Sequence, residues 1–370
     1  MMAKIEKMLE TQISLSEWLQ RINHADAAAL NREDNDKRER LDVLNKAIGL
    51  PFDKPTQFTA EELRDRVPRL KEYIKNHGDE KCALRLMPLS GEEHLPKLRM
   101  RGRTVSSAME WFDEQDIDYP KYRGDFMPHT DDNQWATIFV VNQHGIFGEI
   151  YFGGHHILTQ GFHEEVKPLT FAWDYKNWTI EPQNDDALAH LKGLVKMIHV
   201  SSEQTQNDLI KELDADFCHD YIKGYFETVS SSDMGVWYID YNRVLGSYLD
   251  DVNISLNPLI EDGIVVSGRS ASVGQGTGTV AIVSDPAKSD FKDGQVLVCK
   301  MTSPDYLPLM QRAAAIVTDE GGILCHAAIV ARELGKPCVV STGNATSKLT
   351  NGQTVSVNGA TGSVTVVKQP

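Results

Sequence analysis

The residue whose position speaks most directly of chemistry is His326. It follows Gly321-Gly322 and opens the run His326-Ala-Ala-Ile-Val-Ala-Arg-Glu-Leu-Gly335, with Pro337 just beyond. The glycine pair permits positive φ and close backbone approach, and the Gly335/Pro337 pair supplies helix-stop chemistry, so a helix is expected to begin near His326. Free amides and the dipole at such a start favour an anion and disfavour an imidazolium. A neutral imidazole there is a nucleophile, and a phosphoryl group transferred to it would meet the same favourable field. Thr318 is placed to reach that imidazole or its phosphate if the loop folds back, whereas Arg332, six residues along, does not obviously share the histidine's face. A second group is Glu227, Asp240, Asn242 and Arg243, carried on two strand candidates at 224–229 and 236–242 around a Ser/Asp/Gly turn. Asp240 and Asn242 are two apart and so lie on one strand face. Two carboxylates and an amide oxygen are hard donors suited to Mg²⁺, and Arg243 could meet phosphate. Glu149, Arg85 on an apolar strand, and the cluster Lys97, Arg99, Arg101 and Arg103 around Gly102 are further polar candidates, the basic ones for gripping phosphates. His155-His156 with His163 and Glu164 forms a histidine-rich stretch, but neighbours on a strand face opposite ways, which argues against one shared ion.

These groups need elements to hold them. The first ~80 residues read as helical, with Leu9, Ile13, Leu19 and Ile22 at loosely helical spacings and a charge run at 34–40 read as a solvated helix face. Thr59-Ala-Glu-Glu62 is a capping box expected to open one helix that runs to about Asn76 and stops at Gly78. Residues 82–87 read as a strand, and 135–141 with 148–152 as an antiparallel pair across Asn142-Gln-His-Gly145. Acidic helical stretches at 185–199 and 203–213 precede the hairpin that carries Glu227 and Asp240. Residues 250–262 show no period and read as a linker. Beyond them the composition turns to Gly, Val, Ser and Thr, with strand candidates at 265–267, 279–283, 295–298, 315–317, 337–340 and 354–357 and one helix at 326–334. The expected organisation is a helical region 1–78, an α+β domain 79–250, a linker 251–262 and a C-terminal domain 263–370.

Bulk properties exclude several classes. With 38 Lys and Arg against 53 Asp and Glu in 370 residues, the net charge of −15 argues against general affinity for nucleic acid or anionic membranes. No apolar run approaches the ~20 residues of a membrane span. Lys4, Glu6 and Lys7 stand where a signal peptide would need its apolar core. Five cysteines without a CxxC pair point to neither a disulfide framework nor zinc, and the expected setting is cytoplasmic.

Residues from about 262 to 367 resemble the phosphohistidine swivel domain of the phosphoenolpyruvate-utilising family. The resemblance is carried by Gly294-Gln-Val-Leu-Val298, Thr302-Ser-Pro-Asp-Tyr306, Ala314-Ala-Ile-Val317, Gly321-Gly322, the His326 to Gly335 run, Pro337-Cys-Val-Val340 and Asn358-Gly-Ala-Thr-Gly362. It implies that His326 carries phosphate, that Thr318, Gly321, Gly322, Cys325 and Arg332 support it, and that the domain has a β/β/α fold. Cys325 resembles the small residue that precedes the phosphohistidine in that family. The Glu227 … Asp240-x-Asn242-Arg243 segment resembles the metal-binding end of ATP-grasp domains, although here the arginine follows the asparagine directly. Residues 147–161 resemble the ATP-grasp second half of dikinases. That resemblance implies MgATP around Glu227, Asp240 and Asn242, with Arg85, Arg101, Glu149 and Arg243 toward the nucleotide. The expected fold is α/β and α+β: an ATP-grasp-like N-terminal region plus the swivel domain. The expected function is a dikinase-type phosphotransferase using ATP and Mg²⁺, with a small-molecule or protein phosphoryl acceptor. The alternative is a phosphohistidine carrier whose donor or acceptor site lies on a partner subunit. A full dikinase has a longer ATP-grasp region and usually an acceptor module. With no barrel following the swivel domain, pyruvate chemistry within this chain is not expected.

Overall fold

The computed structural model describes residues 27–92, 95–160, 166–250, 252 and 263–367, without the side chains of Gln160, His326 and Ala327. Leu9, Ile13, Leu19, Ile22, His163, Glu164 and most of the expected linker lie outside the described residues. The described residues divide into two compact units, those within Met1–Lys37, Trp135–Thr228 and Asp240–Pro370 and those within Arg38–Gln134 and Val229–Ile239. These units cut across the expected domain limits. Residues 79–134 separate from 135–228, and the latter group with 263–367.

The charge run at 34–40 does not form a solvated helix face. It is split between α1 (Ala27–Asn35) and α2 (Lys37–Ile48), and Arg38 and Arg40 are buried. Arg38 Nη2 donates to Asp53 Oδ2 at 2.6 Å and Nη1 donates to the Ile239 carbonyl. The capping box forms after β1 (Thr56–Thr59): Thr59 Oγ1 accepts from the Glu62 amide at 3.1 Å, and Glu62 accepts from the Thr59 amide at 2.8 Å. The helix it opens is not continuous to Asn76. α3 (Ala60–Asp65) closes on Arg66 in the left-handed region, and α4 (Pro68–His77) starts anew, because Pro68 has no N–H to continue the ladder. β2 (Lys81–Pro88), β3 (Leu98–Thr104), α5 (Val105–Asp113) and β4 (Tyr122–Pro128) complete an antiparallel sheet of order β1-β4-β2-β3. Alternation sends Phe58, Leu84, Leu86, Met100 and Phe126 to one face, where Leu63, Leu70, Ala108 and Phe112 of the helices bury them. Arg85 points to the other face, with Arg99 opposite it on β3 and Asp125 on β4.

In the larger unit, β5 (Trp135–Asn142) and β6 (Gly145–Phe152) form the expected hairpin with a tighter turn, only Gln143 and His144 lying between them. α6 (His156–Gln160), β7 (Leu169–Trp173), β8 (Trp178–Glu181), α7 (Asp185–Met197), α8 (Glu203–Leu213), the short ribbon β9 (Phe217–Cys218) and β10 (Tyr221–Ile222), β11 (Gly224–Ser231), β12 (Gly235–Asn242) and α9 (Arg243–Ser247) follow. Six of these strands make a sheet of order β12-β11-β5-β6-β7-β8. The tip of the β11–β12 hairpin, Val229–Ile239, is counted with the smaller unit. β6 ends at Phe152, so His155 lies in the turn before α6 and His156 opens that helix, rather than both lying on a strand.

The C-terminal part is a sheet of eight strands: β13 (Ile264–Ser267), β14 (Arg269–Ser272), β15 (Gln275–Ile282), β16 (Val296–Cys299), β17 (Ala315–Thr318), β18 (Cys338–Val340), β19 (Thr354–Asn358) and β20 (Ser363–Val366). Its order is β13-β20-β19-β15-β16-β17-β18-β14. β15 to β18 run parallel, with α10 (Leu307–Arg312) crossing between β16 and β17 and α11 (His326–Glu333) between β17 and β18; α12 (Ala345–Lys348) follows β18. β14, β20 and α10 were not among the sequence expectations. Parallel strands with helical crossovers leave the loops at their C-terminal ends as the natural place for a site. Among the described residues, no helix is long and apolar enough to cross a membrane.

Candidate active site

His326 is the first residue of α11, directly after Cys325 as N-cap, in the loop at the C-terminal end of β17. The loop is fixed by its own polar groups. Thr318 is buried and donates its hydroxyl to the Glu320 carbonyl at 2.5 Å, which braces the turn. Asp319, which sequence reasoning passed over, is also buried and accepts from Thr342 Oγ1 at 3.0 Å and from the Thr346 amide and hydroxyl. Gly321 sits at φ 108°, a region closed to side-chain-bearing residues, and a Cβ there would sit 3.5 Å from Cys325 Sγ. Cys325 is buried beneath this turn. Arg332 reaches back along the helix to donate from Nη2 to the Ile323 carbonyl at 2.8 Å, which makes it a strap on the loop. Burial lowers its pKa to about 10, against the opposing pull of Glu149 and nearby thiols.

Glu149 on β6 meets the same loop. Its carboxylate accepts from the backbone N–H groups of Ile323 and Leu324, and burial raises its pKa to about 7 despite those bonds and the charges of Arg269 and Arg332. Ile323 and Leu324 are each 1% exposed, packed with Ala136, Ile138, Val140, Phe147 and Tyr225 of the six-stranded sheet. Fully burying side chains of this size contributes roughly 1.5–3 kcal/mol each. Arg269 on β14 adds an ion pair to Glu181 on β8 at 2.7 Å.

The same sheet face carries the expected metal donors. Phe139, Phe226 and Tyr241 stack on one another at centroid distances of 5.1 and 5.0 Å. Strand alternation therefore turns Tyr225, Glu227, Asp240 and Asn242 to the opposite face, together with Ile138 and its register partner Glu149. Tyr225 Oη donates to Glu227 Oε1 at 2.7 Å, and His155 Nε2 lies 3.3 Å from Glu227 Oε2. Burial first, then the charge of Glu227 and the hydrogen bond to it, with smaller contributions from the charges of Asp240 and Glu149, raise the Tyr225 phenol well above its ordinary range. Lys37 Nζ stands 3.8 Å from Asp240 Oδ2 and 3.0 Å from Asp34 Oδ1. Asn242 caps α9, its Oδ1 accepting from the Leu245 amide at 2.7 Å.

Arg243 does not project toward this cluster as a phosphate grip. It is paired with Glu33 of α1 and donates to the Leu213 carbonyl, and this pairing outweighs burial to raise its pKa. Arg85 and Arg101 belong to the smaller unit and lie two register positions apart on one face of its sheet. Arg101 keeps solvent contact over much of its length, yet desolvation of its guanidinium and the charges of Arg85 and Arg99 lower its pKa to about 10. Sequence reading missed Tyr225, Glu33 and Asp319: Tyr225 bonds Glu227 two residues on, a spacing the strand pattern did offer, whereas Glu33 pairs with Arg243 210 residues away and Asp319 with Thr342 and Thr346 beyond the next helix and strand.

Residues 291–362 match the model of the family described as PEP-utilising enzyme, mobile domain. A probable phosphoenolpyruvate synthase of Staphylothermus marinus is 51% identical over 109 residues, 29% of this chain and 13% of that protein. The phosphoenolpyruvate synthase of Pyrococcus furiosus is 44% identical over 140 residues, 37% of this chain and 17% of that protein. A Bacillus subtilis protein named "Uncharacterized phosphotransferase YvkC" is 43% identical over 128 residues, 34% of this chain and 15% of that protein. The match therefore spans under a fifth of the length of these relatives. Among solved structures, D-cycloserine synthetase DcsG overlaps 63% of this chain and 78% of its own at 11% identity and a TM-score of 0.31. The D-alanine-D-alanine ligase from Coxiella burnetii overlaps 63% and 55% at 11% identity and a TM-score of 0.28. Both overlaps are too loose to assign a fold. What is secure is local: the segment that bears His326 is similar to the mobile domain of the phosphoenolpyruvate-utilising enzymes.

Proposed function

We propose that this chain is an ATP-dependent phosphotransferase of dikinase type, in which His326 takes a phosphoryl group from MgATP and passes it to an acceptor. The observation that carries the reading is the seating of the His326 loop, through Ile323 and Leu324, on the sheet face that bears Glu149, Tyr225, Glu227 and Asp240. In this reading the functional blocks are a nucleotide region within 79–250 and a swivel domain at 263–370, in a cytoplasmic protein.

The donor types suit a hard divalent cation: Glu227 and Asp240 are carboxylates on one sheet face, and the Asn242 oxygen keeps a second lone pair beside its capping bond, although Lys37 also stands 3.8 Å from Asp240. When bound, Mg²⁺ would supply charge neutralisation on the nucleotide phosphates. The chain's own residues do the rest. His326 opens the helix, and a helix start favours an anion over an imidazolium, the neutral imidazole being the nucleophilic form. Its ring nitrogen forms an N–P bond as the P–O bond to the departing nucleotide breaks, and the first-turn amides then favour the anionic product. Arg332 and Thr318 hold the loop that presents it.

A second reading draws on the internal engagement of Asn242 and Arg243, which leaves fewer groups for a nucleotide: a carrier charged by a partner protein. Incubation of the full chain with β- and γ-labelled ATP and Mg²⁺ separates the two. Acid-labile, base-stable label on the chain alone supports the first reading, and the labelled position tells dikinase from simple kinase transfer. Label that requires an added lysate supports the second. Absence of label in both arms contradicts both.

A further inference from the structure

Gly322 lies against Glu149 so closely that a Cβ on Gly322 would overlap the carboxyl carbon and both its oxygens. Gly322 is not held at positive φ, and the three atoms nearest to such a Cβ all belong to the Glu149 carboxylate. The two oxygens are not equally engaged. The carboxylate takes the Ile323 and Leu324 amides, while Oε2 is buried without a hydrogen-bond partner among the described residues. Arg332 holds the opposite pole of the same peptide segment, the Ile323 carbonyl. The segment two residues before His326 is therefore gripped at its N–H groups by the sheet and at its C=O by its own helix.

We propose that Glu149 is a positioning residue, a latch that fixes the orientation of the His326 loop against the sheet, and that Gly322 is glycine so the latch can close. This inference rests on the phosphotransferase reading above for its consequence in catalysis, but not for the latch itself. Ile323 and Leu324 supply apolar contact, which is non-directional, whereas hydrogen bonds to two successive amides fix rotation and register. The role assigned to Glu149 is thus distinct from that of a nucleotide ligand.

The test uses the full chain and three variants: Glu149→Ala, Glu149→Gln, which retains an acceptor oxygen, and Gly322→Ala, which leaves Glu149 in place but obstructs it. Amide hydrogen exchange across residues 321–325 reads the latch without any nucleotide. Glu149→Ala and Gly322→Ala are expected to speed exchange at Ile323 and Leu324 at least tenfold, Glu149→Gln by less, and Glu149→Ala combined with Gly322→Ala by no more than the larger single effect. Labelling of His326 from MgATP should slow at least tenfold in both alanine variants while ATP affinity stays within twofold. Unchanged exchange at Ile323 and Leu324 overturns the latch. ATP affinity falling in step with labelling assigns Glu149 to the nucleotide instead and also overturns it. If wild type takes no label, the phosphotransferase reading fails while the exchange arm still decides the latch.

Discussion

Glu149 is buried in a setting where ionisation is costly, and the amides of Ile323 and Leu324 offset only part of that cost. Its pKa stands at about 7 against an ordinary 4.5. Between those values the folded chain binds more protons than the unfolded chain, so stability falls as pH rises through that window. A shift of this size corresponds to about 3 kcal/mol. Denaturant unfolding of wild type and Glu149→Gln from pH 4.5 to pH 8 should therefore show the glutamine variant gaining on wild type by up to that amount. Parallel profiles would contradict the placement of Glu149. The neighbouring residues illustrate how type and role separate. Thr318, Arg332, Asn242 and Arg243 all stand where chemistry was expected, yet each spends a polar atom on the backbone or on another side chain of the fold.

At the scale of elements, the α2 helix carries a pair whose energetics are open to measurement. Arg38 and Asp53 meet at 2.6 Å with side chains only 7% and 10% exposed. Arg38→Met alone should cost about 3–5 kcal/mol in urea unfolding, because it takes the cationic partner from a buried carboxylate, whereas Arg38→Met with Asp53→Leu should recover part of that loss. Equal losses in both variants would contradict the pairing. This helix also shows what the sequence could and could not tell. Capping by Thr59 and Glu62, the β5–β6 hairpin and the start of α11 were legible because their signals are local. The burial of Arg38 and Arg40 was not, since periodicity cannot say which side of a charged helix is covered. Pro68 was a readable break that the expectation of one long helix overran. β14 and β20 are four-residue strands; β14 pairs to β18 and β20 to β13 across long stretches of chain, whereas β20 also returns directly on β19 through the turn after Asn358, a local signal that the strand reading passed over. The candidate metal donors were legible as types and as a strand pattern. Their convergence with Glu149 on one sheet face was not, because it depends on the pairing of β11 with β5.

For the molecule as a whole, two facts about one compact unit come together. The loop that begins α11 is anchored on the six-stranded sheet, and the face it touches holds the carboxylates. The −15 net charge is the background for this arrangement: a negative protein whose candidate nucleotide site is itself carboxylate-rich has need of a divalent cation to admit a polyphosphate. The phosphotransferase reading requires that His326 become phosphorylated from MgATP. The most direct measurement is peptide mapping by mass spectrometry, with neutral or basic handling, of the full chain after incubation with MgATP. The account predicts one phosphoryl group on the peptide that contains His326, dependent on Mg²⁺ and lost in His326→Ala. Phosphate confined to another residue, or an unmodified His326 under every nucleotide and metal condition with and without added lysate, would contradict it.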